Sequence, residues 1–315
     1  MLLDLLLLAI GLTLLYFGAE WLVKGAGLLA RNMGVPPIVI GATVVAMGTS
    51  TPELVVSLHA AMIGKNDISL GNIVGSNIAN IGLILGVAVF IRSITWAQSV
   101  AKTHGPFMVG ATLLCMVMMI DGRLGLVDGL LLLAGVVSYV VVCIREGRAD
   151  PEPDREVVQF LSPPPDKGVG YFVLLIAAGL SLLVLGAHLL VESAIEIARV
   201  AGVSEAFIGL TIVAVGTSLP ELMTSVVAAL RGEGDIAIGN VIGSNTFNIL
   251  FILGITAAIE PLQMGGVTWT DMFAMLLAAV LLMFMVFVMK RMGRGSGIAL
   301  ITGYVAYVAW LLGNA

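Results

Sequence analysis

The chain has 315 residues, 59% of them apolar and only 11% charged, and a formal net charge of −5. A soluble domain carries roughly 25% charged residues, so a soluble globular fold is excluded. Apolar runs of the about 20 residues that cross a bilayer recur along the whole chain. Much of the acid sits in one loop, so the net charge identifies no partner beyond the lipid bilayer, and nothing in the sequence points to nucleic acid.

The expected class is an all-α integral membrane protein with ten spans. The first covers residues 2–27; it has no basic segment before it and no small-residue cleavage pattern, so it reads as a retained span and not as a signal peptide. Spans follow at 37–63, 69–91, 105–120 and 125–144. Cys115 and Cys143 fall inside the last two and read as packing, not as a disulfide or a metal pair. Residues 145–168, "REGRADPEPDREVVQFLSPPPDKG", form the only long polar stretch and read as a solvated linker. The remaining spans are 170–198, 205–230, 236–259, 268–289 and 297–313.

The chain repeats itself. A shift of 168 residues aligns Gly41–Ala88 with Gly209–Thr256 without a gap, and 26 of the 48 positions are identical. The chain therefore divides into a first five-span unit (1–144), the linker (145–168) and a second unit (169–315). An odd number of spans per unit makes the second copy enter the membrane from the opposite side. This is an inverted repeat, the architecture of many secondary transporters. The loops after odd-numbered spans hold twelve Lys and Arg residues and the other side three, Lys65, Arg123 and Arg199. The positive-inside rule then puts the linker in the cytoplasm and both termini outside a cell membrane.

Within each copy one span carries Thr-Ser-x-Pro-Glu: Thr49, Ser50, Pro52 and Glu53, then Thr217, Ser218, Pro220 and Glu221. Proline breaks the helical ladder, and freed carbonyls in hydrocarbon are tolerated only where they face protein or a wet cavity. A carboxylate at midspan costs at least a few kcal/mol, which marks a functional site. Helical spacing puts Thr49 and Ser50 on the face of Glu53, and Thr217 and Ser218 on the face of Glu221. The next span of each copy places Ser76 and Asn80, or Ser244 and Asn248, one turn apart. These are hard oxygen donors, suited to Ca²⁺, Na⁺ or Mg²⁺ and not to soft metals. None of His59, His104 and His188 recurs in the other copy, which argues against zinc or copper. Asn77 and Asn245 fit better as hydrogen-bonding neighbours of the ligands than as ligands. Asp67 and Asp235 fit caps or turns, the recurring glycines fit packing, and Glu20, Lys24 and Glu192 fit snorkelling side chains near span ends.

The stretches "GTSTPEL…GNIVGSNIANIG" and "GTSLPEL…GNVIGSNTFNIL" resemble the two α-repeats of the Na⁺/Ca²⁺ exchanger family, within the cation/Ca²⁺ exchanger superfamily. The resemblance covers both repeats in register, and so essentially the whole chain. It implies ion sites built by the second, third, seventh and eighth spans, with the first and sixth as sliding gate helices. The family's liganding positions fall on Glu53, Glu221, Asn80, Asn248, Thr49, Ser50, Ser76, Thr217, Ser218 and Ser244, and its main-chain carbonyl ligands on Ala46 and Ala214. Where some members carry Asp, this chain has Asn at both 80 and 248. That disfavours K⁺ co-transport and leaves two formal negative charges, enough for one Ca²⁺ or two Na⁺. The implied function is antiport by alternating access, with Na⁺ entry driving Ca²⁺ out. No enzyme chemistry is expected, and no cofactor apart from the transported ions. The alternatives are a Ca²⁺/H⁺ antiporter, whose Gly-Asn-x-x-Glu pattern differs from Thr-Ser-x-Pro-Glu, and a passive cation channel.

Overall fold

The computed structural model describes residues 2–149, 167–200, 214–289 and 291–314. Its elements are almost all helical: α1 (Leu2–Met33), α2 (Pro37–Thr49), α3 (Thr51–Met62), α4 (Asn66–Ile91), α5 (Val100–Asp121), α6 (Leu126–Ala149), α7 (Val169–Val200), α8 (Leu219–Arg231), α9 (Gly234–Ile259), α10 (Trp269–Val288) and α11 (Arg294–Asn314). Among the described residues eight helices are long and apolar enough to cross a membrane, or nine when α2 and α3, bent by 44°, count as one. The chain is a multi-pass membrane protein. The span expected at 205–230 lies in part outside the described residues; a turn at Ala214–Gly216 and α8 are its described part. The linker from 150 to 166 lies outside them too. Several helices overrun their expected ends, α1 to Met33 and α6 to Ala149.

The helices α4 and α9 form the centre, each 78% buried along its apolar window, whereas α11 is 11% buried. Both central helices widen into a π turn at corresponding places, Asn80–Leu85 and Asn248–Leu253. Such turns recur at functional sites.

Pairings outside the helices respect the repeat. Strand β1 (Arg123–Leu124) pairs antiparallel with β2 (Leu262–Gln263), setting Leu124 opposite Leu262. A single bridge joins Ile94 to Met292. Shifting by 168 turns 94 into 262 and 124 into 292, so the two pairings are images of each other. They clamp opposite ends of α5. Asp67 accepts from the Gly266 N–H at 2.5 Å and Asp235 from the Ala97 N–H at 3.0 Å, each tying the first turn of a central helix to a loop of the other copy. Tyr139 meets His104 at 3.1 Å, and its image Tyr307 donates to Asp271 at 2.8 Å, bracing α6 to α5 and α11 to α10. Cys115 and Cys143 are free and buried. Glu20 forms an ion pair with Arg231 at the end of α8.

The most intimate helix pair is α1 with α7. A Cβ on Gly18 would lie 2.8 Å from the Gly179 carbonyl oxygen, and one on Gly11 2.9 Å from that of Gly186. Backbone meets backbone along this seam because small residues let helices approach closely. Gly179→Val is therefore expected to lower the melting temperature of the purified protein, since its Cβ would sit 2.6 Å from the Leu22 nitrogen and overpacking costs about 1–3 kcal/mol. Gly303→Ala, with open space around it, is the control and should leave the melt unchanged.

Candidate cation site

The site begins with two helix breaks. Ser50 (φ −80, ψ 9) ends α2 and Ser218 (φ −88, ψ 7) precedes α8. Both lie in the sparsely allowed bridge region where active-site residues gather. Pro52 and Pro220 sit in the first turn beyond each break, where a missing N–H costs nothing. Glu53 and Glu221 follow in those first turns, 0% and 1% exposed.

Each serine serves the other copy's carboxylate. The Ser50 hydroxyl donates to Glu221 Oε1 at 3.0 Å, and the Ser218 hydroxyl to Glu53 Oε1 at 3.1 Å. This corrects the expectation that Thr49 and Ser50 flank their own Glu53. The helix breaks between them, so the hydroxyls turn outward across the repeat interface. Ser218 also lies 3.3 Å from the Ser76 hydroxyl. Asn80 donates to Asn245 Oδ1 and Asn248 to Asn77 Oδ1, both at 2.9 Å. Every one of the sequence-derived Glu, Ser and Asn positions except Ser244 thus joins a bond that crosses between copies.

Asn72 and Asn240 escaped the sequence reading. Asn72 donates to Ser57 at 2.9 Å and to the Glu53 carbonyl at 3.3 Å, while Asn240 donates to Ser225 at 3.0 Å and to the Glu221 carbonyl at 3.4 Å. Their Oδ1 atoms accept from the opposite threonines, Thr217 at 3.4 Å and Thr49 at 3.1 Å. The signal was present: both recur at the 168 shift, one turn before Ser76 and Ser244. The Ala46 carbonyl accepts from the Ser50 N–H at 3.0 Å and from Thr49 at 3.3 Å. Ala214 opens the turn before Ser218.

Glu53 Oε2, Glu221 Oε2, Asn80 Oδ1, Asn248 Oδ1 and Ser244 Oγ are buried without a hydrogen-bond partner. An unpaired buried charge is expensive, so a centre with two such carboxylate oxygens favours a positively charged occupant. Among the described residues no group of three or more His, Cys, Asp or Glu side chains could hold a metal. The donors are carboxylate, amide and hydroxyl oxygens, the set that suits hard cations.

A membrane-embedded helical protein whose two like halves meet at buried carboxyl, amide and hydroxyl oxygens has the makings of a cation carrier. The family model described as sodium/calcium exchanger protein matches residues 3–145 and 171–313. The chain is 37% identical to the putative antiporter CaxA of Alkalimonas amylolytica over 98% of both chains, and 31% identical to the sodium/calcium exchanger MaX1 of Methanosarcina acetivorans over 98% of both. Its structure is similar to that of the sodium-calcium exchanger NCX_Mj soaked with Na⁺ and Ca²⁺, with a TM-score of 0.85, 34% identity and 98% of both chains covered. The chain belongs to the sodium/calcium exchanger protein family. It is accordingly a cation/Ca²⁺ exchange antiporter, a transporter and not an enzyme.

Glu53→Gln and Glu221→Gln are each expected to weaken Ca²⁺ binding by on the order of a hundredfold or more, because one partner of a buried charge pair is worth ~3–5 kcal/mol. Neither should unfold the protein, since the amide is cheaper to bury than the carboxylate. ⁴⁵Ca²⁺ binding and a thermal melt on the same samples check both halves; near-normal binding in either variant would misplace the site.

Proposed function

We propose that the chain exchanges Na⁺ for Ca²⁺ across the cell membrane and extrudes Ca²⁺ at the expense of Na⁺ entry. The observation that carries this reading is the set of unpartnered buried oxygens on Glu53, Glu221, Asn80, Asn248 and Ser244. Thr49, Ser50, Ser76, Thr217 and Ser218 supply further hydroxyl oxygens, and Ala46 and Ala214 main-chain carbonyls. Two carboxylates balance one Ca²⁺ or two Na⁺, and a further Na⁺ would leave the site net positive. Occupancy by Ca²⁺ and by several Na⁺ is thus mutually exclusive, which is what coupling requires.

The carrier has ten spans in two units, 1–144 and 169–315, which cross the membrane in opposite senses. Support comes from the loop pairings: the loop before α5 joins that after α10, and the loop after α5 joins that after α9. Equivalent loops of the two copies therefore lie at opposite ends of α5. The excess of Lys and Arg puts the linker, 145–168, in the cytoplasm and both termini outside. The seam of α1 against α7 makes these two helices one gate that slides over the centre and exposes it to either side in turn.

The test is ⁴⁵Ca²⁺ uptake into proteoliposomes loaded with Na⁺, K⁺ or choline at fixed pH, with and without a pH gradient. Uptake is expected only with internal Na⁺ and should be indifferent to the pH gradient. Uptake that follows the pH gradient alone would make the protein a Ca²⁺/H⁺ antiporter, and Ca²⁺ passage without any counter-ion would make it a channel.

A further inference from the structure

We propose that Asn77 and Asn245 are positioning residues that decide which atom Asn80 and Asn248 turn towards the transported cation, each acting on the ligand of the opposite copy. The chain of constraint starts at the main chain. The Asn245 amide nitrogen donates to the Asn77 carbonyl at 3.2 Å, and the Asn77 amide nitrogen to the Asn245 carbonyl at 3.4 Å. A main-chain carbonyl only accepts, so each of these side chains must present its NH₂ there and its Oδ1 the other way. Asn77 has a second acceptor on the same side, Met275 Sδ at 3.6 Å, which agrees with an NH₂ group at that end.

The two Oδ1 atoms so aimed meet Asn80 and Asn248. An amide oxygen only accepts, so Asn80 must turn its Nδ2 to Asn245 and Asn248 its Nδ2 to Asn77, each at 2.9 Å. What remains is the carbonyl oxygen of each, buried and without a partner. Flipping Asn80 alone would set oxygen against oxygen at Asn245 and offer an NH₂ group, a donor, to the cation. Flipping Asn245 would set its oxygen against the Asn77 carbonyl. The four amides thus lock one another, and the lock is anchored on backbone that cannot flip. It also bears on charge: an ionised carboxylate at 80 or 248 would face an acceptor with an acceptor. The ring therefore favours the neutral amides that keep the centre at two charges.

The inference rests on the reading of Asn80 and Asn248 as ligands, and a double-mutant cycle separates the two. ⁴⁵Ca²⁺ dissociation constants are measured on monodisperse, detergent-purified protein. Asn245→Ala is expected to weaken binding about tenfold, the scale of one contact of hydrogen-bond strength. Combined with Asn80→Ala it should add nothing further, because it acts through Asn80; combined with Asn248→Ala the two effects should multiply. A merely structural role would give no such selectivity between the two asparagines. Asn77→Ala, scored against Asn248→Ala and Asn80→Ala with the roles exchanged, gives the same test from the other copy should Asn245→Ala not fold. Multiplicative effects with both partners, equal non-additivity with both, or unchanged binding in the single variants would each overturn the proposal. Absence of ⁴⁵Ca²⁺ binding by the unmodified protein would instead overturn the exchange reading on which it rests.

Discussion

Two carboxylates buried side by side in a membrane protein are the constraint on which everything else depends. Each is nearly inaccessible to water, and each would repel the other across a medium that screens little. Neither copy supplies the remedy for its own acid. Glu53 takes its hydroxyl donor from Ser218 and Glu221 from Ser50, so the halves are obliged to meet along the faces that carry these groups. The amide ring of Asn77, Asn80, Asn245 and Asn248 meets the same obligation one helix further on. The duplication therefore does more than double a helical unit: it produces an interface at which each copy satisfies polar groups of the other. The oxygens left over on both sides, on Glu53, Glu221, Asn80, Asn248 and Ser244, are buried without a partner.

The sequence made the outline of this arrangement readable and hid its hand. Apolar runs announced a helical, multi-pass membrane protein and the 168-residue shift exposed the repeat, because hydropathy and self-similarity are properties of the chain itself. Pro52 and Pro220 announced the breaks. The direction in which Ser50 and Thr49 point could not be read, since it follows from how the break rotates one short helix against the next, and spacing rules assume an unbroken helix. The pairing of Glu20 with Arg231 could not be read either, because the partner is distant in sequence. Asn72 and Asn240 were legible in principle as duplicated midspan amides.

The reciprocity is not complete, and where it fails is informative. Ser76 shares a hydrogen bond with Ser218, yet Ser244 has no partner. The glycines before the two breaks differ as well. A Cβ on Gly48 would meet Leu180 and one on Gly216 would meet Val191, so both breaks lean on α7. The repeat images of Leu180 and Val191 are Leu12 and Val23 on α1. Two copies in identical surroundings could not share one neighbour in this way. The copies agree where their oxygens gather and differ where the outer helix pair packs against them.

That division has a physical origin in the kinds of contact involved. The centre is tied by directional hydrogen bonds between buried groups, which are costly to leave unmade and so hold one geometry. Around the breaks the facing surfaces are glycine against the branched ends of Leu180 and Val191, contacts without direction. Between α1 and α7, by contrast, backbone lies on backbone at 2.6–2.9 Å from a would-be Cβ, a fit that shifting one helix along the other would spoil at several points at once. Directional ties therefore hold the centre and join α1 to α8 through the Glu20–Arg231 pair, while the outer pair is held by the close fit of backbone on backbone.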